Sequence, residues 1–137
     1  NISIKSFQVP HRNEFSETVG YKIQSPEKSL IYISDIDSWE KWNLDINDLI
    51  QSNDILFLDG TFYDNAELPI ETMQSIPHPF VNKSLQKFSL LEKVERKKVY
   101  FIHFNHTNPA IKPKSSERAE IIRKGCHIAE DGMMFKL

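Results

Sequence analysis

The sequence is poor in cysteine, in long apolar runs and in excess charge of either sign. Cys126 is the only cysteine, so an internal disulfide, a thiolate zinc cluster and a CxxC redox pair are all excluded. No apolar run approaches the roughly 20 residues that a membrane-spanning helix needs. The 17 lysines and arginines stand against 19 acidic residues and form no basic patch. We therefore expect no nucleic-acid and no membrane partner, and any metal site must use histidine and carboxylate.

The length of 137 residues fits one domain of ordinary size. The sequence begins with Asn1 rather than methionine and shows no signal-peptide pattern, which predicts that an upstream part is absent. We expect a cytoplasmic protein, although the end that would carry a targeting signal is the one expected to be missing.

The first half of the sequence predicts strands around one short helical region. Alternating apolar and polar residues, with a tight hairpin turn after the second segment, predict strands at 2–7, 19–24 and 29–34. Residues 37–52 predict one or two helical turns, with Asp45 as an N-cap. The continuous apolar run 54–58 predicts a strand that is buried on both faces.

The middle of the sequence predicts a loop, a helix and another strand. The loop is rich in proline, at Pro69, Pro77 and Pro79. The apolar spacing of three to four residues predicts a helix near 82–95, and residues 99–104 predict a buried strand.

The last part of the sequence predicts one more helix and a closing hairpin. Ser116 is expected to cap a helix that runs through Lys124 and buries Ala119 and Ile122. Strands at 126–129 and 133–137 are expected to turn at Asp131-Gly132. Together the elements predict an α/β fold with a mixed sheet.

Histidines and aspartates stand beside the ends of these predicted strands. His11 precedes one strand, while Asp35, Asp59 and His103 each end another. Open α/β sheets build their sites where such loops emerge, and imidazole with carboxylate suits zinc, iron or manganese. The alternative is that the aspartates only cap helices or form turns.

Several stretches of the sequence resemble the metallo-β-lactamase superfamily. The first two, which also resemble ribonuclease Z, are VPHRNEFSETVGYKI and SLIYISDID. The others, which most resemble the coenzyme PQQ synthesis protein B family, are NDILFLDGTFYD, HPFVNKSL, VYFIHFNHTNP and IAEDGM. The blocks LDGTF, HFNHTNP and EDGM are specific when they occur together, and the resemblance covers nearly the whole chain.

The resemblance implies a set of site residues. It makes His11 a metal ligand, Asp35 a carboxylate that bridges two metals, and His103 the last ligand. Asp59 stands where ribonuclease Z has the glutamate of its HEAT motif, but Leu58 replaces that motif's histidine, which argues against ribonuclease Z chemistry. His106 stands where the PQQ family usually has asparagine.

The superfamily's HxHxDH metal-binding loop occurs nowhere in the sequence. The resemblance therefore implies that residues 1–137 are the C-terminal half of an αββα sandwich, with one mixed sheet and its helices. It also predicts that the chain forms a homodimer or associates with the missing N-terminal half. Otherwise the apolar side chains on the second face of the sheet would be exposed to solvent.

Three functions are consistent with the sequence. The resemblance implies a metal-dependent enzyme, holding zinc or iron in an incomplete site, that oxidises a peptide-derived substrate. The same fold could instead support hydrolysis of a phosphodiester, ester or lactone in a small-molecule substrate, or the chain could be a non-catalytic remnant. Asp59 is expected to orient a ligand or water, and His78 to face the substrate unless it is a surface-loop histidine. His127 is expected to be structural.

Overall fold

The computed structural model describes residues 1–12 and 14–137, which form one six-stranded sheet with helices packed on one face. The strands are β1 (Ser3–Gln8), β2 (Val19–Gln24), β3 (Ser29–Ile33), β4 (Ile55–Asp59), β5 (Val99–Ile102) and β6 (His127–Ile128). The α-helices are α1 (Ile46–Gln51), α2 (Ile70–Ser75), α3 (Val81–Phe88), α4 (Lys93–Arg96) and α5 (Ser116–Arg123). Two 3-10 turns lie at Trp39–Lys41 and Pro109–Ile111.

The strands follow one another across the sheet in sequence order. The pairs β1–β2 and β2–β3 are antiparallel, and the three remaining pairs are parallel. As a result β1, β3, β4, β5 and β6 all point the same way. Their C-terminal ends share one edge of the sheet, which is where an open α/β sheet places its site. The predicted mixed α/β sheet is confirmed.

One face of the sheet and the helices enclose the core. Side chains that alternate along β3, β4 and β5 point to this face, and they are at most 1% exposed. They are Ile31, Ile33, Leu56, Leu58, Val99 and Phe101. Helix α3 adds Val81, Leu85 and Phe88 to the same cluster, at the three-to-four spacing of an amphipathic helix. Burial of each such side chain stabilises the fold by about 1.5–3 kcal/mol.

The other face of the sheet carries a row of aromatic rings across five strands. Cross-strand pairing places Tyr21, Tyr32, Phe57, Tyr100 and His127 side by side. Phe135 packs edge-on against Phe57 and Tyr100, with ring centroids 5.2 and 5.0 Å away. Tyr21 and Tyr32 remain 41% and 40% exposed. We call the five cross-strand residues the aromatic face, and Phe135 packs on it.

Most predicted elements of the first half are confirmed. The strand 19–24 has the predicted bounds, and the hairpin with β3 forms through the turn at Ser25–Lys28. Asp45 caps α1, since its carboxylate accepts a hydrogen bond from the Asn47 backbone N–H at 2.8 Å.

The predictions for the middle of the chain need two corrections. The proline-rich loop contains helix α2, because Pro69 precedes its first turn and Pro77 follows its end, so the prolines bound a helix instead of excluding one. The predicted helix 82–95 is broken into α3 and α4. The chain turns between them so that Leu91 reaches the core, while Leu90 is left 83% exposed.

The last part of the chain also differs from its prediction. Ser115, not Ser116, caps α5 through the Arg118 backbone N–H. Ile121 is buried in place of the predicted Ala119 and Ile122, which are both exposed. The closing hairpin does not form. Strand β6 pairs with β5 in parallel, and residues 133–137 run beyond a turn at Asp131-Gly132 as a segment without strand structure. Phe135 explains this, because its ring packs on the aromatic face.

The sole cysteine lies in the core, where Cys126 is 0% exposed. Burial raises the pKa of its thiol to about 12, so the reactive thiolate is scarce at neutral pH. We expect folded protein to resist alkylation by iodoacetamide at about pH 8, and denatured protein to react completely. Mass spectrometry of the two samples measures this, and rapid labelling of the folded chain would contradict the burial of Cys126.

Within the described residues, no helix has both the length and the apolar character to cross a membrane.

Candidate metal centre

The five predicted site residues come together at the C-terminal edge of the sheet. His11 follows β1, Asp35 follows β3, Asp59 ends β4 and His103 follows β5. His78 reaches the same place from the loop between α2 and α3. The topology explains this convergence, since β1, β3, β4 and β5 run in the same direction and end at the same edge of the sheet.

His11 lies between two aspartates. Its Nδ1 is 3.0 Å from the Asp37 Oδ1, and its Nε2 is 4.0 Å from the Asp35 Oδ1. A carboxylate can only accept a hydrogen bond, so the close contact with Asp37 places a proton on Nδ1. In neutral His11 the Nε2 lone pair then faces Asp35.

The ring of His78 lies beside that of His11, with 5.3 Å between the ring centroids. His11, Asp35 and His78 each offer a ligand atom, and these atoms lie within 4.8 Å of one another. His103 borders this group: its ring centroid is 6.1 Å from that of His78, and its Nδ1 is 3.7 Å from the Asp35 Oδ1. The cluster thus offers three histidines and one carboxylate.

Asp59 lies beneath the cluster and is fully buried. Its Oδ1 accepts hydrogen bonds from the backbone N–H and the hydroxyl of Thr61, at 2.9 and 2.7 Å. Its Oδ2 accepts from the Ile36 N–H at 3.1 Å and lies 2.7 Å from the Nδ1 of His78. Oδ1 therefore forms the turn with Thr61, and Oδ2 contacts the ring of His78.

Thr61 links Asp59 to His103 through its hydroxyl group. Because the Thr61 hydroxyl donates to Asp59, its oxygen is free to accept from the His103 Nδ1, which lies 3.0 Å away. Thus Asp59 fixes the proton on Nδ1 of His78 directly, and on Nδ1 of His103 through Thr61. Each ring then keeps Nε2 as its lone-pair nitrogen.

The backbone of His103 has a φ of 60°, in the left-handed region. Such a conformation is uncommon for a residue other than glycine and persists only where the surroundings enforce it. Here the strand β5 on one side and the hydrogen bond to Thr61 on the other hold the residue.

Two other histidines lie apart from the cluster. His127 is on β6, and its ring stacks on Tyr100 with 4.6 Å between the centroids. His106 is exposed. The sequence interpretation missed Asp37 and Thr61. The only sequence signals for them are the second acid of ISDID and the hydroxyl of LDGTF, and both patterns also occur in ordinary turns.

Residues 1–104 match the family described as the beta-lactamase superfamily domain. The chain belongs to this family. The resemblance seen in the sequence is thereby confirmed at the level of the family.

Curated relatives carry the name coenzyme PQQ synthesis protein B. The protein from Pseudomonas protegens is 30% identical over 95 residues, which cover 66% of this chain and 31% of the relative. The protein from Gluconobacter oxydans is 29% identical over 126 residues, which cover 88% of this chain and 40% of the relative. The chain thus spans about a third of the length of these relatives.

Solved structures share the fold. Zinc-bound PqqB from Methylobacterium extorquens superposes with a TM-score of 0.69 at 23% identity, over 99% of this chain and 50% of that one. A diphosphatase of the PhnP family gives a TM-score of 0.50 at 24% identity, over 98% of this chain and 44% of that one. These likenesses confirm the predicted metallo-β-lactamase type of fold.

The donor set of the cluster fits a divalent metal. Zinc binds imidazole nitrogen at about 2.0–2.1 Å and carboxylate oxygen at about 2.0–2.2 Å. A separation of 4.0 Å between the His11 Nε2 and the Asp35 Oδ1 is within the span of two such bonds. Mixed imidazole and carboxylate donors also suit iron and manganese, so the donor set alone does not identify the metal.

Proposed function

We propose that this chain contributes part of the active site of a metal-dependent enzyme that is similar to coenzyme PQQ synthesis protein B. The observation that carries the proposal is the contact that each cluster histidine makes through its Nδ1. His11, His78 and His103 each contact a side chain through Nδ1, which leaves Nε2 of each ring as the nitrogen that can bind a metal. Neutral imidazoles held in one tautomer are what a metal site requires.

In this proposal His11, Asp35 and His103 remain metal ligands, and His78 joins them. A bound metal would polarise a substrate oxygen or lower the pKa of a water. The protein's own contribution is to fix the rings: Asp59 holds His78 directly and His103 through Thr61, and Phe62 packs edge-on against the His78 ring. The substrate is proposed to be a small molecule or derived from a peptide.

Hydrolysis is the second candidate, and the contact between Asp59 and His78 favours it. A histidine held by a buried carboxylate at 2.7 Å can keep a proton and deliver it to a leaving group. In that case His78 is a proton donor and not a ligand. Zinc affinity distinguishes the two roles, because His78→Ala weakens zinc binding only if His78 is a ligand.

Zinc titration tests the metal site itself. We expect the 137-residue chain to bind zinc weakly, since the HxHxDH ligands are absent from its sequence. Replacement of His11 by glutamine should abolish this binding, because it removes a nitrogen donor while keeping a similar side-chain length. Isothermal titration calorimetry on both proteins measures the difference.

The matched control for this titration is His127→Gln, which removes a histidine outside the cluster. We expect it to bind zinc as the wild type does. Equal zinc binding by the wild type and His11→Gln, or none by either, would contradict the assignment of these residues to a metal site.

We also propose that the aromatic face is an interface, and that its occupant is the remaining half of the fold. The PqqB chain that superposes on 99% of this one is twice as long, and only half of it is matched. A row of tyrosines and Phe57, partly exposed, offers the apolar surface that two packed sheets bury between them. A second copy of this chain is the alternative occupant.

A further inference from the structure

We propose that Asp37 is the positioning residue for His11: it fixes the proton of His11 on Nδ1 and aims Nε2 at the cluster. This inference rests on the proposed metal site, but it concerns a contact of the protein itself. Asp37 is not among the site residues predicted from the sequence.

The geometry of Asp37 suits this role. Its Oδ1 lies 3.0 Å from the His11 Nδ1, and both side chains are largely buried, with 16% and 12% exposed. The backbone N–H of Asp37 donates to the Pro10 carbonyl at 2.7 Å. The loop that follows β3 is therefore tied to the loop that follows β1 at two points, the Pro10 carbonyl and the His11 ring.

The second oxygen of Asp37 is also occupied. Its Oδ2 lies 3.2 Å from the Nζ of Lys41, one helical turn further along the chain. The lysine side chain is 62% exposed, so this ion pair is screened by solvent and contributes little by itself.

A carboxylate behind a metal-binding histidine selects its tautomer and its ring orientation. Loss of such a partner typically weakens metal binding about 10–100-fold. Asp35, two residues earlier, cannot replace it, because Asp35 faces the Nε2 side of the same ring. Asp37 and Asp35 thus hold opposite sides of His11, one as the positioning residue and one beside the lone pair.

The tautomer can be read without any metal. Long-range ¹H–¹⁵N NMR of the metal-free protein at about pH 8, above the ordinary pKa of imidazole, distinguishes Nδ1–H from Nε2–H. The signals of His11 are assigned with His11→Gln. We expect His11 in the Nδ1–H form in the wild type, and a shift towards the Nε2–H form in Asp37→Ala and in Asp37→Leu, which keeps the side-chain size. Either variant decides the question if the other does not fold.

Two further variants separate the hydrogen bond from the charge. Asp37→Asn keeps an oxygen acceptor, so we expect it to retain the Nδ1–H form and to bind zinc more tightly than Asp37→Ala. Lys41→Ala removes only the exposed ion pair, and we expect an unchanged tautomer and a change in zinc affinity below about threefold. In Asp37→Ala we expect zinc affinity to fall about 10–100-fold.

An unchanged Nδ1–H form of His11 in the folded Asp37→Ala or Asp37→Leu variant would overturn the inference. So would an Nε2–H form in the wild type. If the wild type has the Nδ1–H form, and loses it in these variants, but binds no zinc, the role of Asp37 stands and the proposed metal site fails. The two failures are therefore distinguishable.

Discussion

Replacement of Asp59 by alanine should both destabilise the fold and weaken metal binding. The change removes the acceptor for four donors: the N–H groups of Ile36 and Thr61, the Thr61 hydroxyl and the His78 Nδ1. These donors are buried with Asp59, so they would be left unpaired or bound to water in a new cavity. We expect the free energy of unfolding to fall by about 3–5 kcal/mol. Urea denaturation followed by circular dichroism measures it.

Zinc affinity provides the second readout for Asp59. Without its carboxylate the tautomers of His78 and His103 are no longer fixed, and we expect zinc binding to weaken about 10–100-fold in the protein that remains folded. Thr61→Ala should affect His103 more than His78, because Thr61 is the polar contact of the His103 Nδ1 at 3.0 Å, while the His78 Nδ1 lies 3.3 Å from Thr61 and keeps its 2.7 Å contact with Asp59.

Asp64 is a matched control in the same loop. It also forms a turn, with its carboxylate accepting the Ala66 N–H at 2.8 Å, but the contact is exposed. Asp64→Ala should cost about 1 kcal/mol or less and leave zinc binding unchanged. A loss of stability in Asp59→Ala no larger than in Asp64→Ala would show that the buried carboxylate does not hold the site together.

The sequence predicted most of the sheet, because alternation and continuous apolar runs report directly on which faces of a strand are buried. The run ILFL shows this for β4, whose Leu56 and Leu58 face the core while Phe57 faces the other way. Helix limits were harder to predict. The turn after Phe88 depends on how Leu91 packs into the core. The spacing of apolar residues in the sequence is the same whether or not the helix continues.

The candidate site could be predicted only in part. His11, Asp35, Asp59, His78 and His103 stand in recognisable blocks, and the structure places all of them at one edge. Their roles as ligands or catalytic groups remain predictions. The orienting contacts of Asp37 and Thr61 depend on side-chain directions across loops that are 26 and 42 residues apart in sequence, which local patterns do not contain. The left-handed backbone of His103 likewise follows from its surroundings and not from its residue type.

The aromatic face should make the 137-residue chain associate in solution. Tyr21 and Tyr32 are about two-fifths exposed, and Phe57 and Tyr100 lie beside them in the same row. In the absence of the remaining half of the fold, a second copy can cover these rings. We expect light scattering to give the mass of a dimer, unless mass spectrometry finds that a second polypeptide accompanies the chain. The change Tyr32→Glu should shift the dimer to monomer, because a carboxylate would be buried without a partner.

The control for this experiment is Leu90→Glu, which places the same charge on an exposed leucine at the end of α3, on the helical side of the sheet. It should remain a dimer. Tyr32→Glu should bind a hydrophobic dye through the rings it uncovers, and circular dichroism should confirm that it is folded. A wild-type chain that is a monodisperse monomer, carries no second polypeptide and binds no dye would mean that Phe135 and its neighbours already close this face. In that case the aromatic face binds neither a second copy of the chain nor the remaining half of the fold, and the proposed interface is wrong.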